Sequence, residues 1–379
     1  MSRFSNAIFT LTKSDATTPI GKVLILRAMP FGADSRALRW AAIYAPKTIE
    51  WGCWGSTAKE HKARNILDER PRTGLFSFAM GYTAFVLMSF FFALKRLRRG
   101  DILLCIDLET ALLGALAAKL RGATCHYDMA DPFYLAKPVP FKRMWKCIEA
   151  MYIRSAAIAT APLASRFHIF FQKIPANCRV VENVPDLTAN TTARNFLPVI
   201  GSQRQLTLGY FGTIEYHRGI EDLLQFVKTH PNTRLLIGGR GPLTELVKSE
   251  AQTCDRIQFT GEYLPHQLHE LVRHVDVYCS LYYKSKALHL FAAPNKYYEH
   301  LALGIPILMS ASTPYASDVL QNGTGWVVTD GLSAIENWYL QISNDVDAFV
   351  RCAERARGLW TDRYADWMTR QREFFALPQ

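Results

Sequence analysis

The chain has 379 residues, of which 49% are hydrophobic and 20% charged, and its formal net charge is +11 at pH 7. This balance excludes a disordered chain, and the length favours two domains over a single hydrophobic core. The positive charge favours an anionic partner, such as a nucleotide diphosphate or the headgroups of a membrane surface. Nucleic acid is not expected, because the sequence has no run of five like charges, no zinc-binding spacing and no aromatic RNA-binding motif.

The eight cysteines are scattered along the chain and form no C-x-x-C pair. They are typical of buried thiols in a reducing compartment, and neither a disulfide framework nor a metal site is expected. The N-terminal stretch lacks the apolar core of a signal peptide. These features predict a cytoplasmic protein without a bound cofactor.

Short apolar runs alternate with helical stretches through the first half of the chain. This alternation is typical of βαβ units and a doubly wound sheet. It predicts a Rossmann-like domain over residues 1–190, with strands at Lys22–Arg27, Asp101–Asp107, Thr124–Asp128 and Ala156–Ala161, and helices at Ser35–Trp40, Glu109–Arg121 and Phe141–Arg154.

The stretch Leu75–Leu94 has twenty residues without a charge and is flanked by the basic residues Arg72, Lys95, Arg96, Arg98 and Arg99. Its length would permit a membrane span, but a span would place the strands before and after it on opposite sides of the bilayer. A wholly buried core helix is the second alternative. We favour a crossover helix whose outer apolar face and basic end lie on an anionic inner-membrane surface.

The pattern breaks at Ala189–Gln205, the best candidate for a linker, and a second alternating series follows. It predicts a second Rossmann-like domain over residues 191–345, and a helical region, 346–379, that packs back toward the first domain. The strands are expected at Leu206–Gly212, Arg234–Gly238, Ile257–Gly261, Val275–Leu281, Ile305–Ser310 and Trp326–Thr329. The predicted fold is therefore α/β, with two doubly wound domains that face a cleft.

The segment Phe291–Ser310 is the strongest candidate for a binding element. Pro294 suits the first turn of a helix, and Gly304 suits its C-terminal end. The free N–H groups and positive dipole of such a helix favour a phosphate. Glu299 would lie where a carboxylate accepts hydrogen bonds from ribose hydroxyls; the alternative is a solvated glutamate.

Other polar residues follow strand ends on the predicted cleft. In the second domain these are Gly212, Thr213, Arg218 and Arg240, together with Asn295 and Lys296 of the binding element. Arg218 could clamp a diphosphate through two hydrogen bonds. Since the stretch around Gly212 is not G-x-G-x-x-G, a nicotinamide cofactor is poorly supported. In the first domain, Asp128 or Asp131 could accept a proton from an acceptor hydroxyl or orient a sugar, and Asp107 could shape the acceptor side.

Four stretches resemble the GT-B glycosyltransferases, and specifically the bacterial polysaccharide branch of retaining glycosyltransferase family 4. They are Val23–Arg39, Asp101–Asp131, Gly209–Leu223 and Ala293–Pro306, the last of which matches P-N-K-x-x-E-x-x-A-x-G-x-P. The resemblance implies transfer of a sugar, with retention and without a metal, from a nucleotide-diphosphate sugar to a lipid-linked acceptor in polysaccharide biosynthesis. It implies that Arg218 and Gly212 contact the diphosphate, Glu299 contacts the ribose, and Asp34 and Arg36 belong to the acceptor side.

Two residues depart from the family pattern. Thr213 stands where an arginine is frequent, and Phe291 replaces the first glutamate of the E-x7-E motif. These departures support one rival, a non-catalytic homologue that serves as the membrane-associated partner of another transferase. The second rival, a nucleotide-sugar epimerase, shares the two-domain fold but would need carboxylates near the sugar to move protons, and the loss at Phe291 weakens it.

Overall fold

The computed structural model describes residues 21–30, 34–45, 47–54, 63–67, 75–185, 205–264, 267–342 and 345–376. Within these residues, the first domain is built on a parallel sheet of order β3-β2-β1-β4-β5-β6-β7. Its strands are β1 (Val23–Arg27), β2 (Ile49–Trp54), β3 (Ala63–Leu67), β4 (Ile102–Ile106), β5 (Thr124–Asp128), β6 (Ile158–Ala161) and β7 (Cys178–Val180).

Helices cover both faces of this sheet. They are α1 (Ser35–Tyr44), α2 (Leu75–Arg96), α3 (Leu108–Arg121), α4 (Phe133–Ala136), α5 (Lys142–Ser155) and α6 (Ala164–His168). Alternate residues of β1 point to opposite faces, so Val23 and Ile25 pack with α1, whereas Leu24 and Leu26 pack with α2, α3 and α5. The near-continuous apolar strands result from this two-sided burial.

The second domain has a parallel sheet of order β10-β9-β8-β11-β12-β13 within the described residues. Its strands are β8 (Leu206–Thr213), β9 (Thr233–Arg240), β10 (Ile257–Phe259), β11 (Val277–Ser280), β12 (Ile307–Ser310) and β13 (Gly325–Val328). Its α-helices are α7 (Ile220–Thr229), α8 (Thr244–Thr253), α9 (Leu268–Leu271), α10 (Asn295–Leu303), α11 (Ala316–Asn322) and α12 (Leu332–Ile342), and two 3₁₀ helices span Val272–His274 and Ala287–Phe291.

Two further helices, α13 (Val346–Arg363) and α14 (Trp367–Ala376), end the described chain. Helix α14 lies on α1 of the first domain, where Phe375 stacks on His126 and contacts Trp40 and Tyr44. The chain thus crosses back to the first domain at its end.

The prediction of an α/β fold with two Rossmann-like domains is confirmed. In both sheets the strand order reverses beside the first strand, which is the doubly wound arrangement. The strands β2, β3 and β7 were not predicted, because β2 and β3 are polar or irregular in sequence and β7 has only three residues. The linker candidate and the boundary at residue 190 lie outside the described residues.

Helix α2 contains the uncharged stretch. Among the described residues, no helix has the length and apolar character needed to cross a membrane. Strands β1 and β4, which precede and follow α2 in the chain, pair directly in one sheet. Of the flanking cations, Arg72 lies outside the described residues, and Arg96 is half-buried in an ion pair with Glu50. Lys95, Arg98 and Arg99 are exposed.

The buried carboxyl group of Glu149, on α5, generates a prediction about stability. It accepts hydrogen bonds from the Tyr127 hydroxyl (2.7 Å) and the Phe133 N–H (2.9 Å), and burial raises its pKa to about 8. Between its ordinary pKa and 8, the folded chain binds one more proton at this carboxyl group than the unfolded chain does. The free energy of unfolding therefore falls as the pH rises through this range. The fall approaches about 1.4 kcal/mol per pH unit.

We expect Glu149→Gln to remove this loss, as measured by urea unfolding at pH 6 and pH 8. Glu245→Gln, which changes an exposed glutamate, serves as the control and should keep the wild-type dependence. Identical pH slopes in all three proteins would contradict the assignment.

Candidate functional site

The first turn of α10 lies at the junction of the two domains. Asn295 Nδ2 donates to Ser35 Oγ (2.7 Å), and Asn183 Nδ2 donates to the Ala293 carbonyl (2.7 Å). Arg166 Nε donates to the Phe291 carbonyl (3.0 Å). Since parallel strands of both sheets end toward this junction, polar groups from each domain meet here.

Helix α10 starts and stops at the predicted residues. Pro294 is its N-cap residue and makes no side-chain capping bond, so the first N–H groups of the helix have no side-chain partner from the cap. Gly304 ends the helix with a left-handed backbone (φ 62°), and its N–H reaches the carbonyls of His300 and Leu301. The positive end of the helix dipole therefore points into the junction.

Lys296 is a buried cation beside Gly212. Its side chain is 4% exposed, and Nζ lies 4.6 Å from the centre of the Tyr210 ring. A Cβ atom at Gly212 would stand 2.8 Å from Lys296 Nζ, and the φ of +143° also favours glycine there. Burial lowers the pKa of Lys296, and no carboxylate in the described part of the chain forms an ion pair with it. This cation is placed to receive an anion.

Arg218 lies next to Lys296 and is held rigidly. Its guanidinium stacks 4.4 Å from the centre of the Tyr282 ring, and Nε donates to Glu215 Oε1 (2.7 Å). Lys286 Nζ binds the same carboxylate at 3.2 Å. Because Glu215 fixes the Nε side and Tyr282 one face, Arg218 keeps a single orientation in the pocket.

Glu299 lies one turn after Lys296 on the same side of α10. The Tyr278 hydroxyl donates to its Oε2 at 2.7 Å, so the carboxylate is fixed in position. Burial raises its pKa, against the opposing effects of Tyr278, Lys296 and Arg39. The arrangement joins two cations, a helix N-terminus and an oriented carboxylate, which suits a ligand with phosphate and hydroxyl groups.

Two predicted donor-side residues are not part of this group. Arg240 is exposed and forms a surface ion pair with Glu262 (3.4 Å). Thr213, at the end of β8, is also exposed. Arg240 therefore lies apart from the group around Lys296.

The structure corrects the expectation for Asp128 and Arg36. Asp128 is fully buried and binds Arg36 through two hydrogen bonds of 2.7 and 2.6 Å, and the Thr160 hydroxyl donates to the same carboxylate (2.6 Å). Arg36 also donates to the Val181 carbonyl (2.8 Å). Both oxygens of the Asp128 carboxylate are therefore already occupied within a buried ion pair, which is typical of a structural role.

The other first-domain carboxylates lie near the cleft. Arg27 forms ion pairs with both Asp34 and Asp107, and Asp34 also caps α1. The N–H of Asp131 donates to Asp107 Oδ1 (3.1 Å). The side chain of Asp131 is 45% exposed, which makes it the accessible member of the predicted pair Asp128 and Asp131.

Residues 196–357 match the model of a family described as glycosyl transferases group 1, which covers less than half of the chain. No curated protein sequence matches the chain. Similar solved structures include HepE of Anabaena in complex with UDP and glucose, at 15% identity and a TM-score of 0.70, covering 94% of this chain and 98% of HepE.

Two other solved structures have the same architecture. Sucrose-phosphate synthase from Thermosynechococcus elongatus is 16% identical, with a TM-score of 0.65, and covers 94% of this chain and 99% of its own. WaaG, a glycosyltransferase involved in lipopolysaccharide biosynthesis, is 14% identical with a TM-score of 0.65, and the match covers 93% of this chain and 99% of WaaG. The chain has the GT-B fold.

Sequence reasoning missed Arg166, which spans the GT-B cleft. Its side chain is buried; Nη2 binds Asp131 (3.1 Å), and Nε binds the carbonyl of Phe291 in the other domain. Phe291 stands where the resemblance described above leads one to expect a glutamate, and the guanidinium of Arg166 lies at its backbone carbonyl. Arg27 and Glu215 were also missed as neighbours of the site. The sequence did contain a signal for Arg166: it is a basic residue in the first turn of α6, the short helix that follows β6.

The Asp128–Arg36 ion pair predicts a large effect on stability. Asp128→Asn leaves the guanidinium buried without its charge partner, so we expect a loss of about 3–5 kcal/mol in the free energy of unfolding, measured by urea denaturation. The control is Asp366→Asn, which removes one member of the exposed pair with Arg370 and should cost no more than about 1 kcal/mol. A small effect of Asp128→Asn would return this carboxylate to the list of catalytic candidates.

Proposed function

We propose that the protein is a retaining glycosyltransferase of the hexosyltransferase type, acting at the cytoplasmic face of a membrane in polysaccharide biosynthesis. It would move a sugar from a nucleotide-diphosphate sugar to a lipid-linked saccharide. The observation that carries the proposal is the cluster of Lys296, Arg218 and Glu299 around the N-terminus of α10. The match to glycosyl transferases group 1 covers α10 and the whole cluster.

The donor diphosphate fits between Arg218, Lys296 and the Gly212 backbone. The absence of a side chain at Gly212 lets a bulky anion approach Lys296, and Arg218 offers a planar guanidinium. Glu299 can accept hydrogen bonds from the two ribose hydroxyls through the oxygen that Tyr278 does not hold. HepE structures with UDP and with UDP-glucose support a nucleotide-sugar donor of this kind.

The acceptor fits on the first-domain side of the cleft, beside Asp131. Arg166 fixes this carboxylate, so Asp131 can orient an acceptor hydroxyl without turning away. The role of WaaG in lipopolysaccharide biosynthesis supports a saccharide acceptor. Asp34 and Asp107 are held by Arg27 and shape the same side of the cleft.

In the proposed reaction, the acceptor oxygen attacks the anomeric carbon on the face from which the diphosphate departs. The bond from that carbon to the phosphate oxygen breaks, and the acceptor proton passes to the departing phosphate oxygen. Arg218, Lys296 and the helix N-terminus stabilise the negative charge that develops on the leaving group, which is the main catalytic effect. We propose that no metal ion is needed for this step.

Nucleotide binding gives the first test. We expect UDP or another nucleoside diphosphate to raise the melting temperature, because a ligand at 100 times its Kd stabilises the folded state by about 2.7 kcal/mol. The shift should persist in EDTA and disappear in Glu299→Ala, whereas the exposed control Glu245→Ala should keep it. No shift with UDP, GDP, ADP or their sugars would favour the non-catalytic homologue.

Arg218 gives the second test. We expect Arg218→Ala to reduce kcat by roughly 10²–10³, as seen when one group that stabilises transition-state charge is removed. The melting temperature should change little. Arg234→Ala, which removes an exposed arginine of the same domain, serves as the control. The assay follows sugar transfer or hydrolysis of the nucleotide sugar that gave a thermal shift. Wild-type kcat in Arg218→Ala would remove this residue from the site, and proton exchange at a sugar carbon without transfer would indicate the epimerase.

A further inference from the structure

The 3₁₀ helix Ala287–Phe291 connects the two sides of the cleft. It packs against α4 of the first domain, and the carbonyl of its last residue, Phe291, accepts a hydrogen bond from Arg166 Nε (3.0 Å). Arg166 in turn binds Asp131 on the proposed acceptor side. The middle residue of this helix, His289, has no role in the reaction described above.

The imidazole ring of His289 is buried and oriented. His289 is 2% exposed, and its ring packs edge-to-face with Tyr282, at 5.1 Å between the ring centres and an interplanar angle of 77°. The guanidinium of Arg218 lies over the same Tyr282 ring. His289 Nδ1 lies 2.9 Å from the Tyr283 carbonyl, and because a carbonyl oxygen only accepts hydrogen bonds, Nδ1 carries the hydrogen.

The other ring nitrogen, Nε2, is a buried acceptor without a donor. No group in the described part of the chain hydrogen-bonds to it. Burial, together with the positive charge of Arg218, lowers the pKa of His289 to about 4, so the ring is neutral at pH 7 and Nε2 keeps its lone pair. Since buried polar groups are almost always paired, this nitrogen indicates a donor that a ligand supplies.

His300 shows that an unpaired imidazole nitrogen is not by itself a binding site. Its Nδ1 lies 3.0 Å from the Ile305 carbonyl, and its Nε2 is also unpaired among the described residues. Burial is what lowers the pKa of His300. By contrast, the charges of Arg218 and Lys286 both act on the pKa of His289. The position beside these cations distinguishes His289 from a histidine of the core.

The ligand group that fits Nε2 is a hydroxyl. An ionised diphosphate offers only acceptor oxygens, so it can bind Arg218 but cannot donate to this nitrogen. A sugar attached to that diphosphate carries several hydroxyl groups, each of which can donate a hydrogen bond.

We propose that His289 Nε2 accepts a hydrogen bond from one hydroxyl of the donor sugar and thereby selects which sugar is transferred. Because the buried acceptor stays unpaired when that hydroxyl is missing, sugars without it bind more weakly. This inference rests on the proposed function and adds a specificity-determining residue to it.

The test compares nucleotide sugars with their parent nucleotides by isothermal titration calorimetry of the full chain. The probes are UDP-glucose, UDP-galactose, UDP-N-acetylglucosamine and GDP-mannose, with UDP and GDP. His289→Asn keeps an amide donor for the Tyr283 carbonyl but has no group at the position of Nε2. We expect this variant to bind the nucleoside diphosphate with unchanged Kd and the preferred nucleotide sugar about tenfold more weakly, which corresponds to one lost hydrogen bond.

His300→Asn is the matched control, because it removes the second buried imidazole and should keep the wild-type ratio of the two Kd values. Deoxyfluoro analogues of the preferred sugar give a second measurement, since fluorine replaces a hydroxyl but cannot donate a hydrogen bond. We expect one analogue to bind the wild type about tenfold more weakly than the parent sugar does. His289→Asn should bind that analogue and the parent sugar equally, because both changes remove the same interaction.

An unchanged ratio in His289→Asn, an equal change in His300→Asn, or equal binding of all the analogues by the wild type would overturn this inference alone, since nucleotide binding would still support the donor site. Wild-type protein that binds none of the nucleotides would instead contradict the proposed function, and this inference with it.

Discussion

The buried ion pair between Arg36 and Asp128 holds the two domains in register. Asp128 ends β5, Arg36 lies on α1, and the same guanidinium donates to Asn183 Oδ1 (2.8 Å) on the segment that leaves the first domain. Asn183 in turn donates to the Ala293 carbonyl, directly before α10. A continuous path of charge-assisted and neutral hydrogen bonds thus connects the first sheet to the helix that forms the candidate site. Such a network fixes the relative positions of its members, because the loss of one member leaves its neighbours without a hydrogen-bond partner.

The second domain contains the opposite arrangement, a buried lysine that lacks a charge partner among the described residues. Lys296 is buried above an aromatic ring and beside the Gly212 backbone, and it has no ion pair in the described residues. Burial of a charge without a partner destabilises the folded state, which is why the pKa of this lysine is lowered. A bound diphosphate would restore the missing partner. The Asp128 carboxylate has its charge partner within the protein and stabilises the fold. The Lys296 ammonium group has none among the described residues, so it is available to an anionic ligand.

The sequence was sufficient to predict the fold because apolar strand runs in a parallel sheet are continuous and easy to read. It also predicted α10 with its cap residues, since Pro294 and Gly304 have strong positional preferences. It did not predict that Asp128 is buried, because the partner, Arg36, lies 92 residues away and a strand-end aspartate looks the same in either role. Arg166 was overlooked for a similar reason: its importance comes from contacts with Asp131 and with Phe291, 125 residues away.

The uncharged stretch of α2 shows how tertiary structure changes the meaning of a local pattern. In isolation, twenty uncharged residues followed by cations are compatible with a membrane span, a surface helix or a core helix. The direct pairing of β1 with β4 argues against a membrane span. The burial of Phe85 and the exposure of Phe91 show that one side of α2 packs into the core while the other side is exposed. Helix α5 is distant from α2 in sequence but continues the same outer surface with the exposed side chains of Phe141 and Met144. The apolar pattern of α2 therefore describes only one part of a surface that several helices share, and no local stretch of sequence shows how those parts are combined.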